Sequence, residues 1–261
     1  MEFNAQRYWI VRKRIINGVI FLLCFILIFT GLNQLLINKS HRRTLQYILY
    51  EAPENYYDAL YVGGSHMNGA IAPSVLLESD GIRGFNLATG GQEFRVTYYL
   101  LKEVLKRQSP RLVVLDVYYM LSANRYGVEA YNHYVVDAMQ FSKNKIDLIQ
   151  NCIAPEDRLS FYIPFLKYHS RWNDLNKDDF TWKETSPADG WGAGTLQYDQ
   201  EMSFSDWSDE CAALPAGMEE YLDKFIALSQ EMGFTLVLAN FPNDYDWTKD
   251  RKIGWKNRIK V

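Results

Sequence analysis

The stretch YVGGSHMNGA, residues 61–70, sets one serine between a glycine pair and a histidine, at the end of an apolar run. A serine attacks a carbonyl only from a turn that bares its oxygen and leaves backbone N–H groups free nearby to hold negative charge. Gly63-Gly64 allow such a turn, and the start of a helix supplies the N–H groups. Ser65 is therefore the candidate nucleophile, and its own amide a candidate donor to an oxyanion. The alternative is a plain strand-to-helix turn with a capping serine, and the spacing alone leaves both open. His66 is read as orienting the loop or touching substrate, because adjacent side chains on such a turn diverge.

The elements that must position this serine alternate along the chain. DALYVGGS reads as an apolar strand ending in glycines, and GIRGFNLA, residues 81–88, as a second short strand. EFRVTYYLLKEVLKRQ, residues 93–108, carries apolar residues at 96, 100, 101 and 104, which is helical spacing. RLVVLDVYYML after Pro110 reads as a third, fully buried strand. MEEYLDKFIALSQEM is an amphipathic helix closed by Gly233, and FTLVLANFP a fourth strand. Continuously apolar strands separated by helices predict a parallel sheet covered on both faces, with chemistry at the carboxyl ends of the strands. Ser65, Thr89-Gly90-Gly91, Tyr118-Tyr119 and Asn240 all fall at those ends. Asp116 closes the third strand, either as a buried carboxylate ordering this edge or as a cap of the next turn. Residues from about 121 to 216 fit the alternation poorly and read as an insertion forming part of a substrate surface. It includes YHSRWNDLNKDDF and the Gly/Trp-rich SPADGWGAGTLQYD.

IINGVIFLLCFILIFTGL, residues 15–32, contains no charged residue and makes about 27 Å of helix, close to the thickness of a bilayer's hydrocarbon. Arg7, Arg12, Lys13 and Arg14 precede it, which predicts a cytoplasmic N-terminus, 1–14, and a transmembrane signal-anchor over 15–37. Lys39, Arg42 and Arg43 on the other side weaken that asymmetry. Residues 38–57 then form a juxtamembrane connector, and 58–261 an extracytoplasmic α/β domain. With 261 residues, 48% of them apolar, the chain has material for one core beyond the anchor. A net charge of −3 with no long basic run gives nucleic acid no electrostatic footprint. No C-x-x-C and no Cys/His cluster has metal spacing, so neither metal nor cofactor is expected. Cys152 and Cys211, far apart in sequence, are read as unpaired thiols or as one disulfide.

Three segments, YVGGSHMNGAIAPSVL, GFNLATGGQEFRVTYYLLKEVL and PRLVVLDVYYM, together resemble the SGNH/GDSL hydrolase superfamily. The similarity is to its membrane-anchored Gram-positive branch, which is DltD-like and alginate O-acetylation-like, and YHSRW is similar to segments of that branch. The resemblance covers about residues 57–120, and 160–242 more loosely. It implies a three-layer flavodoxin-like parallel sheet and a serine esterase or O-acyltransferase. The implied substrates are acylated cell-wall or exopolysaccharide sugars, and the implied partner a membrane-bound acyltransferase. It maps the nucleophile onto Ser65 and the second oxyanion donor onto Gly91, or Gly90 if the turn is one residue tighter.

Two departures matter. The superfamily's third-block asparagine has no counterpart before Asn124, so Gln92, a tyrosine hydroxyl or backbone amides alone would serve. The Asp-x-x-His block is absent, since no histidine follows His169. Residues 243–261 are too few for a further strand, that loop and a closing helix, so the chain reads as lacking its last strand and helix. His169, flanked by Tyr168 and Arg171-Trp172, is the best remaining candidate for a catalytic or substrate-contacting group, or else a histidine hydrogen-bonded inside the insertion. His133 reads as a surface residue. The rival to the enzyme is a catalytically inactive, membrane-tethered binding or assembly subunit, or a non-functional fragment.

Overall fold

The computed structural model describes residues 2–121, 124–180, 189–192 and 214–241. In chain order the elements are α1 (Glu2–Leu36), α2 (Ser40–Gln46), β1 (Ala59–Val62), α3 (Ser65–Ala70), α4 (Pro73–Asp80) and β2 (Gly84–Asn86). They continue with α5 (Phe94–Val104), β3 (Leu112–Asp116), α6 (Glu129–Val136), α7 (Lys143–Cys152) and α8 (Arg158–Tyr162). Last come α9 (Phe165–Tyr168), α10 (Met218–Met232) and β4 (Thr235–Ala239). The described residues fall into two compact units, 2–38 with 162–180, and 39–161 with 189–192 and 214–241.

The larger unit is α/β. Its four described strands are all parallel, in the order β2-β1-β3-β4, with Leu60 opposite Phe85 and Val113, and Val113 opposite Leu236. Successive strand residues point to opposite faces. Ala59, Tyr61, Leu112 and Val114 meet Met67, Ile71, Leu76 and Ile82 on one face. Leu60, Val62, Val113 and Leu115 point the other way, and all are fully buried. Burial on both faces is why these strands are continuously apolar, and each such side chain contributes about 2 kcal/mol. The apolar stripe of α5 carries Phe94, Leu100, Leu101 and Val104 inward. Phe94 and Tyr98 pack on Phe225 of α10 at centroid separations of 5.0 and 5.4 Å. Asn144 of α7 donates to Tyr99 O and Glu103 Oε2. β4 pairs with β3 alone among the described strands, and its Val237 is exposed.

The connector 38–57 carries helix. α2 and a π-turn at Tyr47–Glu51 bury Leu45, Ile48, Leu49 and Ala52 in the larger unit. The spacing 45, 48, 49 is a helical stripe, which needs a core to cover it. The described parts of 121–216 divide between the two units. α6 and α7 pack on α5 in the larger unit, while 162–180 belongs with α1.

In the smaller unit α1 is long and apolar enough over Val11–Leu36 to cross a membrane, and its most apolar 18-residue stretch is not buried within the protein. At 1.5 Å per residue those 26 residues span about 39 Å. Phe21 and Leu27 are more than 70% exposed, which no core helix would tolerate. Phe165 of α9 packs on Phe29 at 5.4 Å. Arg171 donates to Leu36 O at the carboxyl end of α1 and pairs with buried Asp179 at 3.1 Å. A guanidinium there satisfies an orphan carbonyl and suits the helix dipole.

Candidate functional site

The strand order puts a topological switch point between β1 and β3, because the chain leaves β1 in one direction and returns to its other side. Parallel sheets open a crevice there, at the carboxyl ends of the strands. Ser65 follows β1 at that edge, and Asp116, Tyr118 and Tyr119 end β3 beside it. The sequence builds the turn with Gly63 and Gly64, and α3 begins on Ser65 itself. Ser65 is exposed, and its hydroxyl offsets part of the rise in the Tyr119 pKa. Gly64 lies against the Tyr119 ring so closely that a Cβ built there would sit 2.2 Å from Cε2. Burial raises the Tyr119 pKa, so the phenol is kept protonated and can donate as well as accept.

His66 diverges from Ser65. Its ring lies 3.8 Å from that of Tyr118, at 64°. Among the described residues no histidine hydrogen-bonds Ser65. The Nδ1 of His66 and the Oδ2 of Asp116 are both buried without a close hydrogen-bond partner. Asp116 Oδ1 accepts from Tyr118 N at 3.0 Å, so the carboxylate caps the turn after β3. It also faces the amides of Gly64 and Met67, which tie it to the serine loop. Desolvation pushes the Asp116 pKa up, and Tyr118 N, His66 and those two amides offset part of the rise.

A carboxyl whose folded pKa is raised contributes most to stability below its unfolded pKa, and that contribution is lost as pH climbs through the folded value. Asp116→Asn keeps the shape and the acceptor for Tyr118 N. We expect this variant to be more stable than wild type at neutral pH by about 1 kcal/mol, and its melting temperature to change less between pH of about 4 and about 7. Thermal melts across that range check it, and a wild type no more sensitive to pH than the variant would contradict it.

The second loop, after β2, is bolted to α3. Asn86 Nδ2 donates to Met67 O at 2.9 Å and Ile71 O at 3.2 Å, and its Oδ1 accepts from Ala88 N. Asn68 returns the link, donating to Ala88 O at 2.9 Å. Gly90 and Gly91 follow. Gly91 adopts φ +62° with the Tyr131 ring above it, where a Cβ would sit 2.0 Å from Cδ2. Gln92, considered above as an oxyanion donor, turns inward. It accepts from Thr89 and donates to Thr97, both at 3.0 Å, and so orders its own turn. Part of the Gly/Trp-rich segment reaches the same edge. Asp189 O accepts from Asn86 N at 2.8 Å, Gly190 O from Asn68, and Trp191 Nε1 donates to Gly69 O.

His133 is not a surface residue. It is buried with Nδ1 3.1 Å from Asp137 Oδ2, Nε2 3.4 Å from Ser160 Oγ, and its ring stacked on Phe161 at 3.8 Å. The residue types match a hydrolase triad, but Ser160 Oγ donates to Asp157 O at 2.7 Å and Phe161 closes one face of the ring. The cluster fastens α6 to α8. His169 and Arg171 belong to the smaller unit. His169 is exposed and donates from Nδ1 to Leu166 O within its own turn, and Arg171 is committed to Leu36 and Asp179.

Cys152 is buried, its thiol pushed up to about 12, while Cys211 lies outside the described residues, as do the segment 243–261 and most of 183–196. Among the described residues no three His, Cys, Asp or Glu side chains are set to hold a metal ion. The residues missed from sequence are Tyr119 beside Ser65 and the pair Asn68–Asn86. For Tyr119 and Asn86 the strand-end position was the available signal. Comparison of the chain with protein-family models and with curated proteins finds no match.

Proposed function

We propose that the chain is a serine esterase or O-acyltransferase of SGNH type, with its sheet sandwiched in three layers. In this reading α1 anchors it in the cell membrane, and the α/β unit works outside the cytoplasm on O-acylated cell-wall or exopolysaccharide sugars. The observation that carries the proposal is an exposed Ser65 on a Gly-Gly strand-to-helix turn, with the Tyr119 ring against Gly64 and buried Asp116 behind it. Ser65 Oγ attacks the acyl carbon, a new C–O bond forms, and the carbonyl electron pair moves onto oxygen. The amides of Ser65 and Gly91 hold that oxyanion, with the protonated Tyr119 hydroxyl as a third donor. The Ser65 proton passes through water at this open edge to the departing sugar oxygen. Water or a second sugar hydroxyl then takes the acyl group from Ser65. Tyr118, Tyr119 and Trp191 supply apolar ring surface at this edge, which suits a sugar.

A second reading is a binding or assembly subunit that retains the fold without the chemistry. What favours it is His66, which lies on Tyr118 rather than on Ser65. Treating the full-length, detergent-solubilised chain with a fluorophosphonate separates the two. The enzyme reading expects covalent labelling located by peptide mass spectrometry at Ser65. Folded protein that takes up no label, or takes it elsewhere, overturns the enzyme reading in favour of the second.

A further inference from the structure

We infer that residues 162–180 form a collar on α1 that lies in the acyl–headgroup boundary of the bilayer, with Leu166, Trp172 and Phe180 buried in lipid. The inference rests on α1 crossing the membrane and is independent of the chemistry at Ser65. A bilayer surrounds a spanning helix on every side, so an element packed laterally on that helix shares its depth.

Phe165 sits on Phe29, which lies seven positions, about 10 Å, before the end of α1 at Leu36. The uncharged run from Ile15 to Leu36 spans about 33 Å against about 30 Å of hydrocarbon, so the stretch from Phe29 to Leu36, which includes Asn33 and Gln34, runs out to the edge of the acyl region. Arg171 pins the collar's other end to Leu36 O and, through Asp179, closes the turn that follows.

The collar's composition fits that depth. Tyr162, Phe165, Tyr168, Trp172 and Phe180 are aromatic, and aromatic side chains with a polar edge concentrate at membrane interfaces. Leu166, Trp172 and Phe180 are 46%, 68% and 58% exposed, a heavy apolar display for water. Lys167, Arg171 and Lys177 balance Asp174, Asp178 and Asp179, so apolar burial rather than attraction to anionic headgroups holds the collar down. The lipid surface, not a protein partner, is therefore the occupant assigned to this face.

The test uses the full chain in lipid nanodiscs of phosphatidylcholine and phosphatidylglycerol. Cys24 and Cys211 are replaced by serine, and the buried, unreactive Cys152 is kept. A bimane label is placed in turn at Trp172→Cys, Phe180→Cys, Leu22→Cys in α1 and Glu231→Cys on the exposed side of α10. Shallow-doxyl phospholipid is expected to quench the labels at 172 and 180 at least about twofold more than the label at 231, with iodide showing the reverse order. Labels at 172 and 180 that behave like the one at 231, while mid-chain-doxyl lipid quenches the label at 22, overturn the collar. A label at 22 that no doxyl lipid quenches removes α1 from the bilayer and overturns the collar with it. Neither outcome touches phosphonate labelling of Ser65, which reports on the chemistry separately.

Discussion

Ser65→Ala is expected to hydrolyse a simple phenyl ester about ten-thousand-fold more slowly than wild type, or worse, while melting at nearly the same temperature. The size of the loss follows from the chemistry. On the proposed mechanism no acyl-enzyme forms without Oγ, and what would remain is the help of the Ser65 and Gly91 amides to direct attack by water. A ten-thousand-fold loss is about 5.4 kcal/mol of transition-state stabilisation, far above what any positioning residue at this edge could account for. The near-constant melt follows from the structure. Ser65 is exposed, and alanine is well tolerated in the first turn of α3. Initial rates and a melt on the same preparation check both halves. A fall of less than about tenfold in folded protein would show that another group carries the ester chemistry.

Gly64→Ala is expected to cost about 2–3 kcal/mol of stability and about a hundredfold in ester hydrolysis, although it adds one methyl group. That methyl would lie 2.2 Å from Tyr119 Cε2 and 2.6 Å from Cδ2. The Tyr119 ring cannot retreat alone, since it packs edge-on against Tyr118 at 5.1 Å, and Tyr118 lies against His66. Relief of the clash therefore moves the Tyr119 hydroxyl and the imidazole together. If the clash is the cause, the same substitution in a Tyr119→Ala background costs less than about 1 kcal/mol, because the two effects are then strongly non-additive. Unfolding midpoints of the four proteins in that cycle decide it, and equal costs in both backgrounds would refute the mechanism.

Much of the scaffold around Ser65 is written locally. Each of β1, β3 and β4 is a short apolar run bounded by turn residues, and α5 and α10 carry their stripes at helical spacing, so period and punctuation alone give a parallel α/β sheet. The glycine pair before Ser65 and the uncharged run in α1 are equally local. So the sequence by itself determined the class of fold, the strand-end serine and a helix apolar enough for a membrane.

What the tertiary structure decided are the meetings between residues far apart in the chain. Tyr119 reaches Ser65 across 54 positions because β1 and β3 are neighbours, with Val62 in register with Leu115. His133 shows the boundary within one cluster. Asp137 stands four residues on and was readable as a helical neighbour, whereas Ser160 and Phe161 arrive only when α8 folds back. The same holds for 162–180, whose aromatic residues look like part of an insertion until Phe165 finds Phe29. Pattern along a chain fixes which way each side chain points, but which partner it meets depends on strand order and packing, and these are set by the whole core at once.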